Sequence, residues 1–131
     1  MGYRWVEHTA EVELEIEAPT EEAAFNEAAH ALGELVGDDL RQEWISREVS
    51  VAADDRAVLL AHWLDELVYL AETEDLVPDE VERIELSGHG LRAIVRCRRG
   101  NPRPLVRGVT YHQLSFERAD HGFRATVVLD V

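Results

Sequence analysis

The chain is poor in cysteine and contains no lysine at all. Its 131 residues include one cysteine, Cys97, so an internal disulfide cannot form. Val95, two residues earlier, predicts that the thiol is buried in a strand, where cysteine usually behaves as a small hydrophobic residue. All 13 basic residues are arginines, against 27 acids, and the formal net charge is −14. That balance argues against a general nucleic-acid-binding protein, because neutralising phosphates requires clustered cations.

Long apolar segments and secretion signals are also missing. No uninterrupted apolar stretch approaches the ~20 residues that cross a bilayer. The first seven residues hold no apolar core of the kind that a signal peptide has. We therefore expect a cytoplasmic protein that makes no membrane contact. The length fits one domain over residues 1–131, and we expect a monomer.

Charge is distributed unevenly along the chain. Residues 1–91 contain 24 acids and 5 arginines, a net charge of −19, whereas residues 92–131 contain 3 acids and 8 arginines, a net charge of +5. Two interpretations remain open. Either a compositional bias leaves solvated acidic faces, or the surface is bipolar and orients a charged partner.

Hydrophobic periodicity predicts two helices among about seven strands. Strict alternation over residues 11–17 places the apolar side chains on one face of a strand and four glutamates on the other. A first helix is predicted to begin after Thr20, a good N-cap, and to stop at Gly37 as a C′ residue. A second helix begins after Asp54 or Asp55 and runs to about residue 74.

The remaining strands are mostly joined by tight turns. They are predicted at residues 4–8, 44–52, 81–87, 91–98, 111–118 and 123–129. Short connections of this kind favour antiparallel pairing. The sequence therefore predicts an α+β domain with a largely antiparallel sheet.

Ready-made catalytic signatures are absent from the sequence. It has no glycine-rich phosphate loop, no Gly-x-Ser-x-Gly elbow and none of the common His or Cys metal motifs. His8 and His112 lie near predicted strand ends and are candidate general bases. No serine or cysteine nucleophile is evidently paired with either one.

Acids at the ends of predicted elements are better candidates for a site. They are Glu7, Glu11, Asp38, Asp39 and Asp130. Hard cations such as Ca²⁺ or Mg²⁺ prefer several oxygen ligands of this kind, and the terminal carboxylate of Val131 adds another. If the strand that starts at Glu11 and the strand that ends at Asp130 lie side by side and antiparallel, the two carboxylates meet. A cation or a proton must then separate them, and we expect a divalent cation.

Arginines of the second half form a candidate partner-binding surface. Arg92, Arg96 and Arg98 share strand parity, so we expect them on one face, opposite Ala93, Val95 and Cys97. Together with Arg99, Arg103 and Arg107 they would make a basic patch that meets an acidic rim of a partner protein or nearby RNA phosphate. The alternative is that these arginines pair with the acidic N-terminal strand.

Five short segments together resemble one protein family. They are residues 7–12 (Glu-His-Thr-Ala-Glu-Val), 20–25 (Thr-Glu-Glu-Ala-Ala-Phe), 59–67 (Leu-Leu-Ala-His-Trp-Leu-Asp-Glu-Leu), 107–112 (Arg-Gly-Val-Thr-Tyr-His) and 125–131 (Ala-Thr-Val-Val-Leu-Asp-Val). In this order and over the full chain, they resemble the motifs of the archease family. The chain departs from that pattern where the family has Asp-His-Thr-Ala-Asp and a Lys, since Glu7, Glu11 and Arg107 stand there. A glutamate is one methylene longer than an aspartate, so a carboxylate site must be rearranged or looser, and an arginine keeps the charge but not the point-donor geometry of lysine.

The resemblance implies an accessory protein rather than an enzyme. Archeases assist RtcB-type RNA ligases, which use GTP and divalent metal to guanylylate an active-site histidine and then join RNA ends in tRNA splicing and RNA repair. The archease promotes that guanylylation and repeated turnover, and meets RNA only through the ligase. By resemblance, Glu11 and Asp130 carry the activity with Asp38 or Asp39 nearby, His8 and Glu7 support them, and the bound ion is Ca²⁺, Mg²⁺ or Mn²⁺.

Three other functions remain open from the sequence. The first is a chaperone-like modulator of another RNA-modifying enzyme such as a methyltransferase. The second is a metal-dependent hydrolase that uses the carboxylates, against which the missing nucleophile and ligand spacing count. The third is an α+β domain without catalytic chemistry.

Overall fold

A computed structural model describes residues 2–8 and 10–131 of the chain, and the side chain of His8 lies outside the described part. The described residues form β1 (Gly2–His8), β2 (Glu11–Ala18), α1 (Glu21–Val36), β3 (Trp44–Ala52), α2 (Arg56–Glu74), β4 (Leu76–Leu86), β5 (Gly90–Arg99), β6 (Gly108–Ala119) and β7 (Gly122–Asp130). The predicted α+β class, with two helices among seven strands, is confirmed.

The strands divide into two antiparallel sheets. One has four strands in the order β1-β2-β7-β6, and the other has three in the order β3-β5-β4. Both helices lie between the sheets, because α1 packs on β2 and β4 while α2 packs on β6 and β3. The apolar faces of all these elements meet in one hydrophobic core. Neither helix of residues 2–8 and 10–131 combines the length and apolar character that crossing a membrane requires.

The helix starts follow the predicted N-caps. The hydroxyl of Thr20 accepts a hydrogen bond from the backbone N–H of Ala23 at 3.1 Å, and the carboxylate of Asp55 accepts one from Val58 at 3.0 Å. Gly37 ends α1 as predicted, but its φ of −66° does not require the left-handed conformation that favours glycine. Close packing explains the glycine instead, since a Cβ there would lie 2.6 Å from the carbonyl oxygen of Gly33.

Each helix also satisfies a backbone group of an edge strand. The side-chain oxygen of Asn26 in α1 accepts a hydrogen bond from Val81 of β4 at 2.8 Å. The carboxylate of Asp65 in α2 accepts one from the backbone of Val109 in β6. Both edges thereby lose a free N–H that another chain would otherwise pair with.

Strand β4 begins five residues earlier than the sequence pattern predicts. Pro78 lies inside the strand, whereas the predicted strand begins only at residue 81. A proline is tolerated there because β4 is an edge strand, where one backbone N–H faces away from the ladder. The helix α1 approaches this strand so closely that a Cβ at Gly33 would lie 1.8 Å from the carbonyl oxygen of Pro78.

Candidate carboxylate site at one edge of the four-stranded sheet

Two of the predicted acids meet where β2 begins and β7 ends. Glu11 pairs directly with Asp130 in the antiparallel register of these strands. Both side chains belong to the outer face of the four-stranded sheet, and both residues are half-buried. Directly opposed residues have Cβ atoms roughly 4.5–5.5 Å apart. The predicted meeting of the two strand ends is therefore confirmed.

Glu11 differs from other glutamates on the same face of β2. Glu17 lies opposite Arg124 and forms an ion pair with it at 3.2 Å. Glu15 forms an ion pair with Arg4 of β1 at 2.7 Å. Neither Glu11 nor Asp130 has a side-chain hydrogen bond or ion pair within the described residues. Like charges directly opposite each other destabilise a sheet, and a cation bound between the two carboxylates would offset that cost.

The C-terminal residue is held beside the pair by backbone contacts. The N–H of Val131 donates to the carbonyl of Ala10 at 3.1 Å, and the N–H of Arg107 donates to the carbonyl of Asp130 at 2.7 Å. Ala10 has φ 61°, a left-handed conformation that residues other than glycine rarely adopt. Such strained residues persist where surrounding contacts fix them, and they cluster at functional sites.

Helix α2 anchors the neighbouring strand β6 at the same end of β7. Gly108 is the β6 partner of Asp130, and the next residue, Val109, donates its N–H to Asp65 of α2. Burial raises the pKa of Asp65, an effect opposed by that hydrogen bond and by the nearby His62. The end of β7 is thus fixed between β2 and a β6 strand that α2 anchors.

Asp38 and Asp39 lie in the loop after α1 and are exposed. The carboxylate of Asp38 accepts a hydrogen bond from the backbone N–H of Asp39 at 3.0 Å. The backbone carbonyl of Asp38 accepts one from the backbone N–H of Asn101 at 2.9 Å. Within residues 2–8 and 10–131, no three His, Cys, Asp or Glu side chains are arranged to hold a metal ion. The described structure therefore assembles Glu11 with Asp130 but adds no third acid to them.

The two supporting residues predicted near the site are placed differently. Glu7 pairs with Val12, so its side chain has the parity of the inner face and not that of Glu11. The backbone of His8 pairs with Glu11, but its side chain is the part that lies outside the described residues. The role predicted for His8 stays a prediction.

His112 lies in an irregular part of β6. The register with β7 is interrupted between Thr110 and Ser115, and His112 is exposed within that interval. Its backbone N–H donates to the hydroxyl of Thr110 at 3.3 Å. No nucleophile or carboxylate contacts its ring among the described residues, so nothing supports the general-base role considered from the sequence.

The donor chemistry of the pair fits a hard divalent cation shared with another molecule. Mg²⁺ is usually held by one or two carboxylates, with water and substrate phosphates in the other positions. Glu11 and Asp130 supply oxygen donors of that kind. An all-protein cage of the kind that Ca²⁺ often occupies needs more ligands than this edge presents.

The predicted arginine face exists, but acids of the same chain neutralise much of it. Arg92, Arg96 and Arg98 lie on the outer face of β5, opposite the buried Ala93, Val95 and Cys97. Ion pairs join Arg96 to Asp79 and Glu80, Arg99 to Glu43, and Arg103 to Asp38. None of these acids lies in the N-terminal strand that we considered as the alternative. Arg98 and Arg107 have no ion pair in the described part of the chain.

The sequence interpretation missed one exposed aromatic residue. Trp44 is 44% exposed on the outer face of the three-stranded sheet. The guanidinium carbons of Arg96 and Arg98 lie 4.5 Å and 5.1 Å from its ring centroid. A signal was present, because Trp44 shares strand parity with the polar Ser46 and Glu48.

Known proteins match this chain over nearly its whole length. A model of the Archease protein family (MTH1598/TM1083) matches residues 3–131. The protein archease of Archaeoglobus fulgidus is 31% identical over 138 residues, covering 100% of both chains. That of Methanosarcina mazei is 32% identical over 139 residues, covering 98% of this chain and 95% of the relative.

Two solved structures share the fold. The solution structure of Methanobacterium thermoautotrophicum protein 1598 superposes with a TM-score of 0.75, at 26% identity over 99% of each chain. The crystal structure of an archease from Thermotoga maritima, described as a possible chaperone, gives a TM-score of 0.70 at 25% identity, covering 96% of this chain and 94% of the other.

Proposed function

Because this chain belongs to the archease family, we propose that it activates an RtcB-type RNA ligase in tRNA splicing or RNA repair. In this role it promotes guanylylation of the ligase and its repeated turnover, and does not join RNA itself. The observation that supports the role most directly is the opposed pair Glu11 and Asp130, which has no counter-charge within the described residues. The two acids belong to the opening and closing segments that resemble the family motifs.

The pair supplies the chemistry that this role requires. Glu11 and Asp130 would hold a divalent cation (Mg²⁺, Mn²⁺ or Ca²⁺). Such an ion, when bound, supplies positive charge to phosphate oxygens such as those of GTP. The chain itself fixes the carboxylates, because the backbone bonds Arg107–Asp130 and Val131–Ala10 hold the end of β7 in place.

A guanylylation assay tests the role. The chain is added at one tenth of the concentration of an RtcB-type ligase from the same organism, with GTP and Mn²⁺, and the covalent ligase–guanylate adduct is measured over time. We expect faster adduct formation and more than one ligation event per ligase molecule. An unchanged rate at equimolar chain would contradict the proposal. A C-terminal tag placed directly after Val131 should remove most of the effect, whereas an N-terminal tag serves as the control.

A chaperone-like role toward a different RNA-modifying enzyme, such as a methyltransferase, is the second candidate. The description of the Thermotoga maritima relative as a possible chaperone favours an accessory role of some kind. Affinity capture with the tagged chain from its own host separates the two. The ligase should be the dominant partner under the first proposal, and a methyltransferase under the second.

A further inference from the structure

The exposed face of the three-stranded sheet carries a tryptophan held in place by two arginines. Trp44 stands opposite Arg98 in the register of β3 and β5, and Arg96 lies one outward position further along β5. Stacking of both guanidinium groups on the indole restricts its rotation. An aromatic side chain that is ordered before binding loses little entropy when a partner covers it.

The two stacked arginines differ in how their charge is balanced. Arg96 contacts Asp79 at 3.1 Å and Glu80 at 3.2 Å. The Nε of Arg98 donates to the backbone carbonyl of Arg41 at 2.9 Å, and within the described residues no carboxylate pairs with this guanidinium. The side chain of Arg41 likewise has no ion pair in the described part of the chain. The Arg98 charge beside the indole and the Arg41 charge in the loop before β3 are therefore free to meet a carboxylate.

An exposed leucine completes this surface. Leu40 is 42% exposed and lines, together with Arg98, a cavity of about 140 Å³. Backbone hydrogen bonds hold the loop that carries it, because Arg41 donates to Arg99 at 2.8 Å and Arg99 donates to Glu43 at 3.1 Å. Tryptophan and arginine on a rigid frame are the residue types that dominate binding energy at protein interfaces. We call Leu40, Arg41, Trp44 and Arg98 the Trp44 surface.

One segment of the chain joins the loop that carries Leu40 to the end of β7. Residues 100–107 run from the end of β5 to the start of β6 and connect the two sheets. Along this segment, Asn101 donates to the carbonyl of Asp38 and Arg107 donates to that of Asp130. The two places lie on the outer faces of different sheets, so a partner that contacts both must extend around this connection.

We propose that the Trp44 surface is a second docking site for the protein on which the Glu11–Asp130 pair acts. It receives a partner segment that presents a carboxylate beside an apolar side chain, with the carboxylate on Arg41 and Arg98 and the apolar group on Trp44 and Leu40. Charge favours protein over RNA as the occupant, because acids of this chain already pair with Arg96 and Arg99. The remaining Arg41 and Arg98 suffice for a single carboxylate, whereas a phosphate backbone requires more clustered cations. This inference rests on the proposed function, since the partner tested is the ligase.

Calorimetric titration of the chain into the ligase tests the docking site. Trp44→Ala and Arg98→Gln should each weaken association about tenfold or more, as loss of a hot-spot residue does. Arg98→Glu should weaken it further, and the Arg98 variants should show a smaller salt dependence. The matched controls are Tyr69→Ala, which removes an aromatic residue that is 58% exposed on α2, and Arg118→Gln, which removes an arginine that lies over the Phe123 ring on the four-stranded sheet. Both controls should bind within about twofold of the unchanged chain, and melting curves verify that all variants fold.

A second readout separates docking from action. At saturating concentration, Trp44→Ala should restore ligase guanylylation to the level of the unchanged chain, whereas Asp130→Asn should not. If the unchanged chain activates the ligase while Trp44→Ala and Arg98→Gln bind as tightly as the controls, the docking site is wrong and the proposed function stands. If the unchanged chain neither binds nor activates, the proposed function fails first. Micromolar binding of a ten-nucleotide single-stranded RNA that Trp44→Ala abolishes would overturn the assignment to a protein partner.

Discussion

Glu11 and Asp130 face each other across β2 and β7, and no positively charged side chain of the described residues stands between them. Elsewhere on this face the chain places cations where they help, as in the Glu17–Arg124 pair at the other end of the same two strands. The same two strands therefore carry a charge-balanced pair at one end and two opposed acids at the other. Because like charges directly opposite each other destabilise a sheet, the opposed acids lower the stability at their end. Two opposed carboxylates are the kind of oxygen donors that a divalent cation prefers, which points to a binding role.

Removing one member of the pair should stabilise the metal-free protein. We expect Glu11→Gln and Asp130→Asn each to raise the free energy of unfolding by roughly 0.2–1 kcal/mol at low salt, because like-charge repulsion disappears. Glu17→Gln, the control on the same strand, should lower it by about 0–1 kcal/mol because its exposed ion pair is lost. Urea unfolding in the presence of a chelator measures all three. A loss of stability in both pair variants would contradict the opposed-charge interpretation.

Divalent metal should reverse the order of stability of the unchanged chain and the two pair variants. Binding to the folded chain alone stabilises it by mass action, so Mn²⁺ should raise the melting temperature of the unchanged chain and leave Glu11→Gln and Asp130→Asn almost unaffected. Glu17→Gln should respond as the unchanged chain does. An equal rise in all four proteins would place the ion elsewhere.

Packing against β4 should make Gly33 intolerant of any side chain. In an exposed helix, glycine to alanine stabilises by about 1 kcal/mol. At Gly33 the added Cβ would lie 1.8 Å from the carbonyl oxygen of Pro78, so we expect Gly33→Ala to destabilise by at least about 1–3 kcal/mol. Gly88→Ala is the control, because nothing lies within 4 Å of a Cβ there. Equal unfolding midpoints for the two variants would show that α1 packs less closely than described.

The thiol of Cys97 should be unreactive in the folded protein. Burial raises its pKa to about 11, so it stays protonated at pH 8 and reacts slowly with iodoacetamide until the chain unfolds. The same pKa shift determines how the free energy of unfolding depends on pH. Below its unfolded pKa of about 8.5 the thiol is protonated in both states, and above it the unfolded chain loses the proton first. The free energy of unfolding should therefore fall between about pH 9 and 11, and Cys97→Ala should lose this component.

Local sequence signals predicted the elements well because their causes are local. Side-chain oxygens of Thr20 and Asp55 accept the first helical N–H groups, and alternation in β2 marks its buried face. The start of β4 was missed because Pro78 reads as a strand breaker until one knows that β4 is an edge strand. Division into two sheets depends on helix packing, which no short pattern encodes.

The candidate site was only partly predictable, because its contacts join residues that are distant in the sequence. The pairing of Glu11 with Asp130 joins residues at opposite ends of the chain, and strand polarity predicts it once the strands are neighbours. Ion pairs such as Arg96 with Asp79 depend on the register of β4 with β5, so the basic patch inferred from strand parity was only partly accurate. The exposure of Trp44 depends on an outer sheet face that no other element covers.

Guanylylation of the ligase by GTP, measured with Asp130→Asn beside Glu17→Gln, tests the central claim most directly. Both variants remove one negative charge from the outer face of the same two strands, and only the first touches the opposed pair. We expect Glu17→Gln to accelerate adduct formation as well as the unchanged chain does, and Asp130→Asn to leave the rate at that of the ligase alone while remaining folded. Full acceleration by folded Asp130→Asn would contradict the assignment of activity to the Glu11–Asp130 pair.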